Sequence, residues 1–214
     1  SLAIKGIEAA GQDKGYHVLI YLSHESCAKE KAIFEAFKSG RVDGVIASIS
    51  RETSSSKHIH GLLGIPVVFF DRVPAGMETA KIVTDDFESG YKAATHLIER
   101  GCRRITYLSI SKSLSNINNR MEGYKKALAD HGMNSESKSL YFSNDPIKDL
   151  QLFKKLMNGK TRPDGIIASV EGLIILVYEV CRELKLNIPG DVRVIGFFNL
   201  VAAVILNLDF PTIN

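Results

Sequence analysis

The stretch Thr84–Leu108, TDDFESGYKAATHLIERGCRRITYL, decides the fold because it reads as one complete helix followed at once by a strand. Asp85 is placed to cap the helix start, and Glu88 three residues later completes the pattern of a capping box. One apolar helical face is predicted from residues that recur at every third or fourth position: Phe87, Tyr91, Ala94 and Ile98. Gly101 then supplies a left-handed stop before the strand Ile105–Ile110.

The same alternation of strands and helices continues on both sides of this stretch. Further strands are predicted at Tyr16–Leu22, Val42–Ile49, Ile65–Phe70, Lys81–Val83, Leu140–Phe142, Gly165–Ser169 and Val192–Phe197. Short connections between them indicate parallel sheets with right-handed crossovers, so the fold class is α/β. We expect a first lobe in residues 1–85, completed by 206–214, and a second lobe in residues 86–205.

Composition excludes several classes of protein. The 214 residues are 45% hydrophobic and 24% charged with a net charge of +3, which is typical of a globular protein and gives no basis for nucleic-acid binding by charge. The longest apolar run, Leu200–Leu206, is far short of the ~20 residues of a membrane span. Three scattered cysteines form no disulfide framework or metal clip, which favours a cytoplasmic setting.

Sequence motifs of common enzymes are missing. The chain contains no GxGxxG, no P-loop, no GxSxG elbow and no HExxH. His58 and His60 are two residues apart but have no acidic or cysteine partner at a metal-site spacing, so they are interpreted as solvated histidines on a surface helix. We therefore predict a protein that is not an enzyme and that holds no metal or cofactor.

Polar residues follow the predicted strands, where ligands bind in parallel α/β folds. Asp71 comes directly after six apolar residues, so its carboxylate is held at a sheet edge; a structural aspartate in a turn is the alternative. Arg120 is expected to open a helix from about Asn119 to His131. There it would be either a surface arginine or a fork that grips a carboxylate, a phosphate or sugar hydroxyls.

Motifs along the whole chain resemble the LacI/GalR family of bacterial transcriptional regulators. They are IKGIEAAGQDKGY (4–16), VDGVI (42–46), IPVVFFDR (65–72), THLIERGCRRI (95–105), NRMEGYKKAL (119–128), RPDGIIAS (162–169), IPGDVRVIGF (188–197) and PTI (211–213). Each motif is short, but their order is specific. The resemblance implies a type I periplasmic-binding-protein-like fold, in which two Rossmann-like lobes close on a small molecule.

The resemblance also implies which residues touch that molecule. Asp71 and Arg120 fall on positions that hold the effector, and Ser50 and the loop around Asn116 add contacts. The family usually reads GFDD where this chain has Phe198 and Asn199 after Gly196-Phe197, and ND where it has Val170-Glu171. Two polar positions are thus apolar here, which indicates an effector flatter or less hydroxylated than a simple sugar.

The partners implied by the resemblance are a small-molecule effector, operator DNA and a second copy of the chain. The effector would be a sugar, a purine or a related metabolite. A DNA-binding helix-turn-helix, the hinge helix and the first strand of the sheet would precede residue 1, so DNA would be bound through a domain not present here. The alternatives are a periplasmic solute-binding protein of a transporter and, third, an α/β enzyme with Asp71 as base.

Overall fold

A computed structural model describes residues 2–40, 42–53, 58–59, 64–74, 77–111, 114–133, 138–143 and 145–197. The first part contains α1 (Leu2–Asp13), α2 (Cys27–Phe37), β1 (Val45–Ala47), β2 (Val67–Phe70) and β3 (Lys81–Ile82). Next come α3 (Asp86–Glu99), β4 (Ile105–Ser109), α4 (Ser115–Asp130) and β5 (Lys138–Tyr141). The last described elements are α5 (Pro146–Met157), β6 (Gly165–Ala168), α6 (Glu171–Glu183) and β7 (Arg193–Gly196).

The strands form two parallel sheets, which confirms the predicted α/β class. The first sheet has the order β1-β2-β3, and the second has the order β5-β4-β6-β7. Every residue of β4 and β6 is buried because helices cover both faces of the second sheet. The first sheet has three strands against four in the second, and its core is centred on Phe34 and Phe69. The two-sheet architecture is therefore correct, while the division at Asp85–Asp86 stays a prediction.

The organising helix α3 forms as predicted, but its buried face matches the predicted one only in part: Ala94 and Ile98 are buried and Tyr91 packs against the core. The Asp85 side chain accepts a hydrogen bond from the Glu88 backbone N–H at 3.1 Å, and Gly101 adopts a φ of 88°. Phe87, the first residue of the predicted apolar face, does not share in the burial and is 43% exposed. The buried face runs through Gly90, Ala93, Ala94, Leu97 and Ile98. It is centred on small residues because another helix approaches closely there.

That helix is α4, and two glycines permit the approach. A Cβ added to Gly90 would lie 1.9 Å from the Arg120 carbonyl oxygen, and one added to Gly123 would lie 2.0 Å from the Phe87 carbonyl oxygen. Real Cβ atoms do not come so near to backbone, so neither position accepts a side chain without moving a helix. Glycine in a helix interior costs about 0.5–1 kcal/mol relative to alanine. Here that cost is offset by direct contact between the two helix backbones.

We expect Gly123→Ala to lower the free energy of unfolding by about 3 kcal/mol or more, because the new methyl group forces the helices apart. The measurement is urea unfolding followed by circular dichroism. Gly6→Ala in α1 is the matched control, since nothing lies within 4 Å of the Cβ position there. It should be neutral or stabilising by up to about 1 kcal/mol. Equal effects of the two substitutions would contradict the close packing of α3 on α4.

The predicted strand Tyr16–Leu22 is wrong: these residues form no strand in the structure. Leu19 and Leu22 are each 64% exposed although their apolar character is typical of a buried strand. The second sheet shows the reason. Its edge strand β5 pairs only with β4, and β6 pairs with β4 on its other side. The described part of the first half has no strand in the place of β4, so none of the described strands lies beside Tyr16–Leu22 to pair with it.

Other boundaries also differ from the prediction. The strands are shorter, and α4 begins at Ser115 rather than near Asn119. Arg120 therefore lies in the second turn of α4 and does not open the helix. The predicted return of the tail, Leu200–Asn214, to the first lobe lies outside the described residues. None of the helices in the described part of the chain has the length and apolarity that crossing a bilayer requires.

Candidate functional site

The candidate site lies where the carboxyl ends of the two sheets meet. Asp71 follows β2, and its Oδ1 accepts a hydrogen bond of 3.1 Å from the Asn116 side-chain amide in the first turn of α4. A second bond of 3.4 Å joins the Val73 backbone N–H to the Ser115 hydroxyl. Two predicted ligand-binding residues, Asp71 and Asn116, are therefore brought together from different sheets.

The backbone of Asp71 is left-handed, with a φ of 63°. Such a conformation is uncommon outside glycine, and it is tolerated here because the neighbouring backbone is fixed. The Asp71 N–H donates to the Ile82 carbonyl at 3.0 Å, and the Arg72 N–H donates to the Phe70 carbonyl at 2.7 Å. Strained residues of this kind cluster at functional sites. The turn directs the backbone of Asp71 away from the course of β2.

Arg120 is held in a buried ion pair. Its Nε donates to Asp86 Oδ1 at 2.8 Å, and its Nη1 donates to the Ser169 carbonyl at 3.4 Å. Its guanidinium carbon lies 4.5 Å from the centre of the Phe197 ring, a cation–π arrangement. Burial raises the pKa of Asp86, and the nearby charge of Asp71 adds to this, while the Arg120 charge opposes it. The Arg120 guanidinium, which is predicted to bind a ligand, therefore already uses some of its N–H donors on Asp86 and Ser169.

Ser50 follows β1 and is buried, but its contacts are structural. Its backbone N–H donates to the Glu30 carboxylate, which is itself 3% exposed. The same carboxylate accepts a hydrogen bond of 2.6 Å from the Thr53 hydroxyl and lies 2.6 Å from His58 Nε2. The interpretation of His58 as a solvated surface histidine is therefore wrong. The His58 ring is buried because its contact with the Glu30 carboxylate offsets the cost of burying that charge. His60 lies outside the described residues.

Glu25 ties together the turns that follow β1 and β2. Its carboxylate accepts a bond of 2.7 Å from the Arg51 backbone N–H and bonds of 2.7 and 2.8 Å from Arg72 Nη1. Burial acts to raise the pKa of Glu25, but these hydrogen bonds and the arginine charges outweigh it, so the pKa lies below its ordinary value. The backbone of Glu25 is also left-handed, with a φ of 62°.

The remaining predicted residues are less well placed. Val170 precedes α6 and packs against the core of the second lobe, and Glu171 is exposed in the first turn of that helix. Phe198 and Asn199 lie outside the described residues. Next to Val170, the Ser169 hydroxyl is buried and has no hydrogen-bond partner among the described residues. Nor does that part of the chain bring together three side chains suited to a metal ion.

The depressed pKa of Glu25 makes its contribution to stability depend on pH. Its contacts stabilise the fold above the ordinary pKa of about 4.5, and this contribution is lost as the pH falls through the lower pKa of the folded state. We therefore expect the melting temperature of Glu25→Gln to be below that of the wild type near neutral pH. The two values should converge as the pH falls below 4.5 and through the lower pKa of the folded state.

The measurement is a thermal melt of each variant across this pH range. Glu35→Gln is the matched control because Glu35 pairs with Lys38 on an exposed face of α2 and is 63% exposed. Its difference from the wild type should be small throughout. A Glu25→Gln difference that persists unchanged into acid would contradict the role assigned to the Glu25 carboxylate.

Two parallel sheets that bring polar turns together at their carboxyl ends define an α/β binding domain of two lobes. Residues 94–208, just over half of the chain, match the family model described as a periplasmic binding protein-like domain. The chain belongs to this family. The matched residues include the strands β4 to β7 of the second sheet.

Relatives of known name are transcriptional regulators. The chain is 29% identical over 205 residues to the HTH-type transcriptional repressor PurR of Yersinia enterocolitica, covering 92% of this chain and 59% of that protein. It is 26% identical over 223 residues to the arabinose metabolism transcriptional repressor of Halalkalibacterium halodurans, covering 99% and 58%. The chain thus spans about three fifths of the length of these relatives.

A solved structure agrees with the sequence matches. The periplasmic binding protein/LacI transcriptional regulator of Alkaliphilus metalliredigens, complexed with D-xylulofuranose, superposes with a TM-score of 0.79 at 26% identity, covering 97% of this chain and 76% of that one. The predicted resemblance to LacI/GalR regulators is confirmed, and these relatives are regulators rather than enzymes. They favour the regulator over the transporter solute-binding protein.

Proposed function

We propose that this chain is the effector-sensing domain of a LacI-family transcriptional regulator, in which a small molecule binds between the lobes and alters DNA binding by another domain. The observation that carries the proposal is the hydrogen bond between Asp71 and Asn116. This bond joins the turn after β2 of the first sheet to the start of α4, which follows β4 of the second sheet. A ligand that competes for these groups changes how the sheets are held together.

Supporting contacts surround that point. Asp71 offers a carboxylate on a rigid turn, Asn116 offers an amide, and the Arg120 guanidinium lies four residues further along α4. Val170 and Glu171 border the same edge, and Ser50, which follows β1, adds a contact from the first sheet. A ligand that binds one arrangement of the lobes better than another shifts their equilibrium in proportion to that difference in affinity.

The partners follow from the same proposal. The effector is a sugar, a purine or a related metabolite, and the named relatives include an arabinose metabolism repressor and a regulator complexed with D-xylulofuranose. The domain works in the cytoplasm as a homodimer, and operator DNA is contacted by a part of the protein outside this chain. Dimerisation through matching surfaces would transmit the lobe movement to both DNA-binding domains.

A thermal-shift screen against sugars, purines and amino acids tests the proposal. A ligand at a hundred times its dissociation constant stabilises the folded state by about 2.7 kcal/mol, which raises the melting temperature by about 5–10 °C for a chain of this size. Asp71→Ala should abolish the shift because it removes the carboxylate at the junction of the sheets.

Asp43→Ala is the control for that screen. Asp43 is exposed and precedes β1, so it lies at the opposite edge of the first sheet. This variant should bind the effector as the wild type does. A ligand that binds Asp71→Ala and the wild type equally well would place the binding site elsewhere and contradict the proposal.

A further inference from the structure

The cleft side of the first lobe contains several groups that ordinarily bind anions. They are successive backbone N–H groups in a turn, the N-terminus of a helix and an arginine. Carboxylates of the chain already bind the N–H groups of Ser50, Arg51 and Cys27 and the guanidinium of Arg72. This arrangement bears on which effectors the domain accepts.

The turn after β1 provides the first example. The backbone N–H groups of Ser50 and Arg51 are consecutive, and they donate to two different carboxylates, those of Glu30 and Glu25. Two adjacent N–H groups of this kind are suited to a phosphate oxygen. Because both are occupied, a phosphate at this turn would have to displace a glutamate and would meet its negative charge.

The other donors are occupied in the same way. The Cys27 N–H at the start of α2 donates to Glu52 at 3.2 Å, and Arg72 is paired with Glu25 at 2.7 Å. Across the cleft Arg120 is paired with Asp86, whose side chain is 3% exposed. Two of the cations that a phosphate would bind, Arg72 and Arg120, are thus already paired with carboxylates.

The helices that begin at this edge reinforce the pattern. The first turns of α2, α3 and α6 each carry at least one acidic residue, which offsets the positive end of the helix dipole. The first turn of α4 has no acid, but it also has no cation, and its Ile117 N–H donates to the Asn116 side chain at 2.8 Å. The acids in the first turns of α2, α3 and α6 therefore make these helix termini less favourable for an anionic ligand.

Counting charges at this edge gives the same result. The carboxylates at these turns and helix starts include Glu25, Glu30, Glu52, Asp71, Asp85, Asp86, Glu88 and Glu171. The cations among them include Lys29, Arg51, Arg72 and Arg120, so the acids are in excess. A cleft with an excess of one sign repels ligands of that sign.

Resting on the proposed function, we propose that the cleft excludes phosphorylated and other anionic effectors because Glu25, Glu30 and Asp86 already fill the anion-binding positions. The effector is accordingly an uncharged molecule that donates hydrogen bonds to Asp71. Glu25 is a specificity-determining residue, since its removal frees both the Arg72 guanidinium and the Arg51 N–H. Glu30 is a positioning residue that fixes the turn.

Inorganic phosphate tests this inference without knowledge of the effector. Its binding is measured by the melting temperature in phosphate against chloride of equal ionic strength, and by the broadening of the phosphorus NMR signal. The wild type should show no saturable binding. Glu25→Gln keeps the shape of the side chain but removes the charge, and it should bind phosphate saturably, with a dissociation constant at least about tenfold below the highest phosphate concentration at which the wild type shows no binding.

Glu35→Gln is again the matched control, because it removes one negative charge from α2, the helix that follows Glu25, on an exposed face where Glu35 pairs with Lys38. It should behave as the wild type. Saturable phosphate binding by the wild type would overturn the inference. So would a Glu25→Gln protein that gains no phosphate affinity, or a gain of the same size in Glu35→Gln.

The result separates this inference from the proposed function. Paired compounds, such as ribose with ribose 5-phosphate and glucose with glucose 6-phosphate, extend the screen described above. An effector that proves to be phosphorylated and that depends on Asp71 would support the proposed function and overturn the inference. If no effector depends on Asp71 but Glu25→Gln gains affinity for phosphate, the inference would be supported and the proposed function overturned.

Discussion

The contact between α3 and α4 at Gly90 and Gly123 is the constraint on which the candidate site depends. The missing side chain of Gly90 makes room for the Arg120 backbone itself, since a Cβ there would meet the Arg120 carbonyl at 1.9 Å. This approach lets Arg120 reach Asp86 and so places a cation among buried groups that would otherwise exclude it. Any change in the spacing of these helices moves the guanidinium as well.

The two halves of the chain hold their ligand-facing groups by different means. In the second half, apolar packing around β4 and β6 fixes the helices, and the polar groups follow from it. In the first half, the core is small and the turns are fixed by the carboxylates of Glu25 and Glu30. The first half is therefore more sensitive to charge, and the second half is more sensitive to side-chain volume.

Sequence alone predicted the parallel α/β class, the cap and stop of α3, and the proximity of Asp71 to Asn116 through the resemblance. It did not predict the Gly90–Gly123 contact, because a glycine within a helix looks like a weak position until the neighbouring helix is known. Glu30 was missed for a similar reason: a glutamate in an amphipathic helix reads as solvated. Tyr16–Leu22 was assigned as a strand from its side chains, but strand formation also requires a partner backbone.

The exposed segment Tyr16–Leu22 affects the solubility of this chain. Tyr16–Leu22 combines aromatic and β-branched residues with several side chains that are more than half exposed, among them Leu19 and Ile20. Segments of this composition stack into intermolecular sheets when they meet copies of themselves. Aggregation of this chain should therefore rise steeply with its concentration, and Ile20→Lys should reduce it.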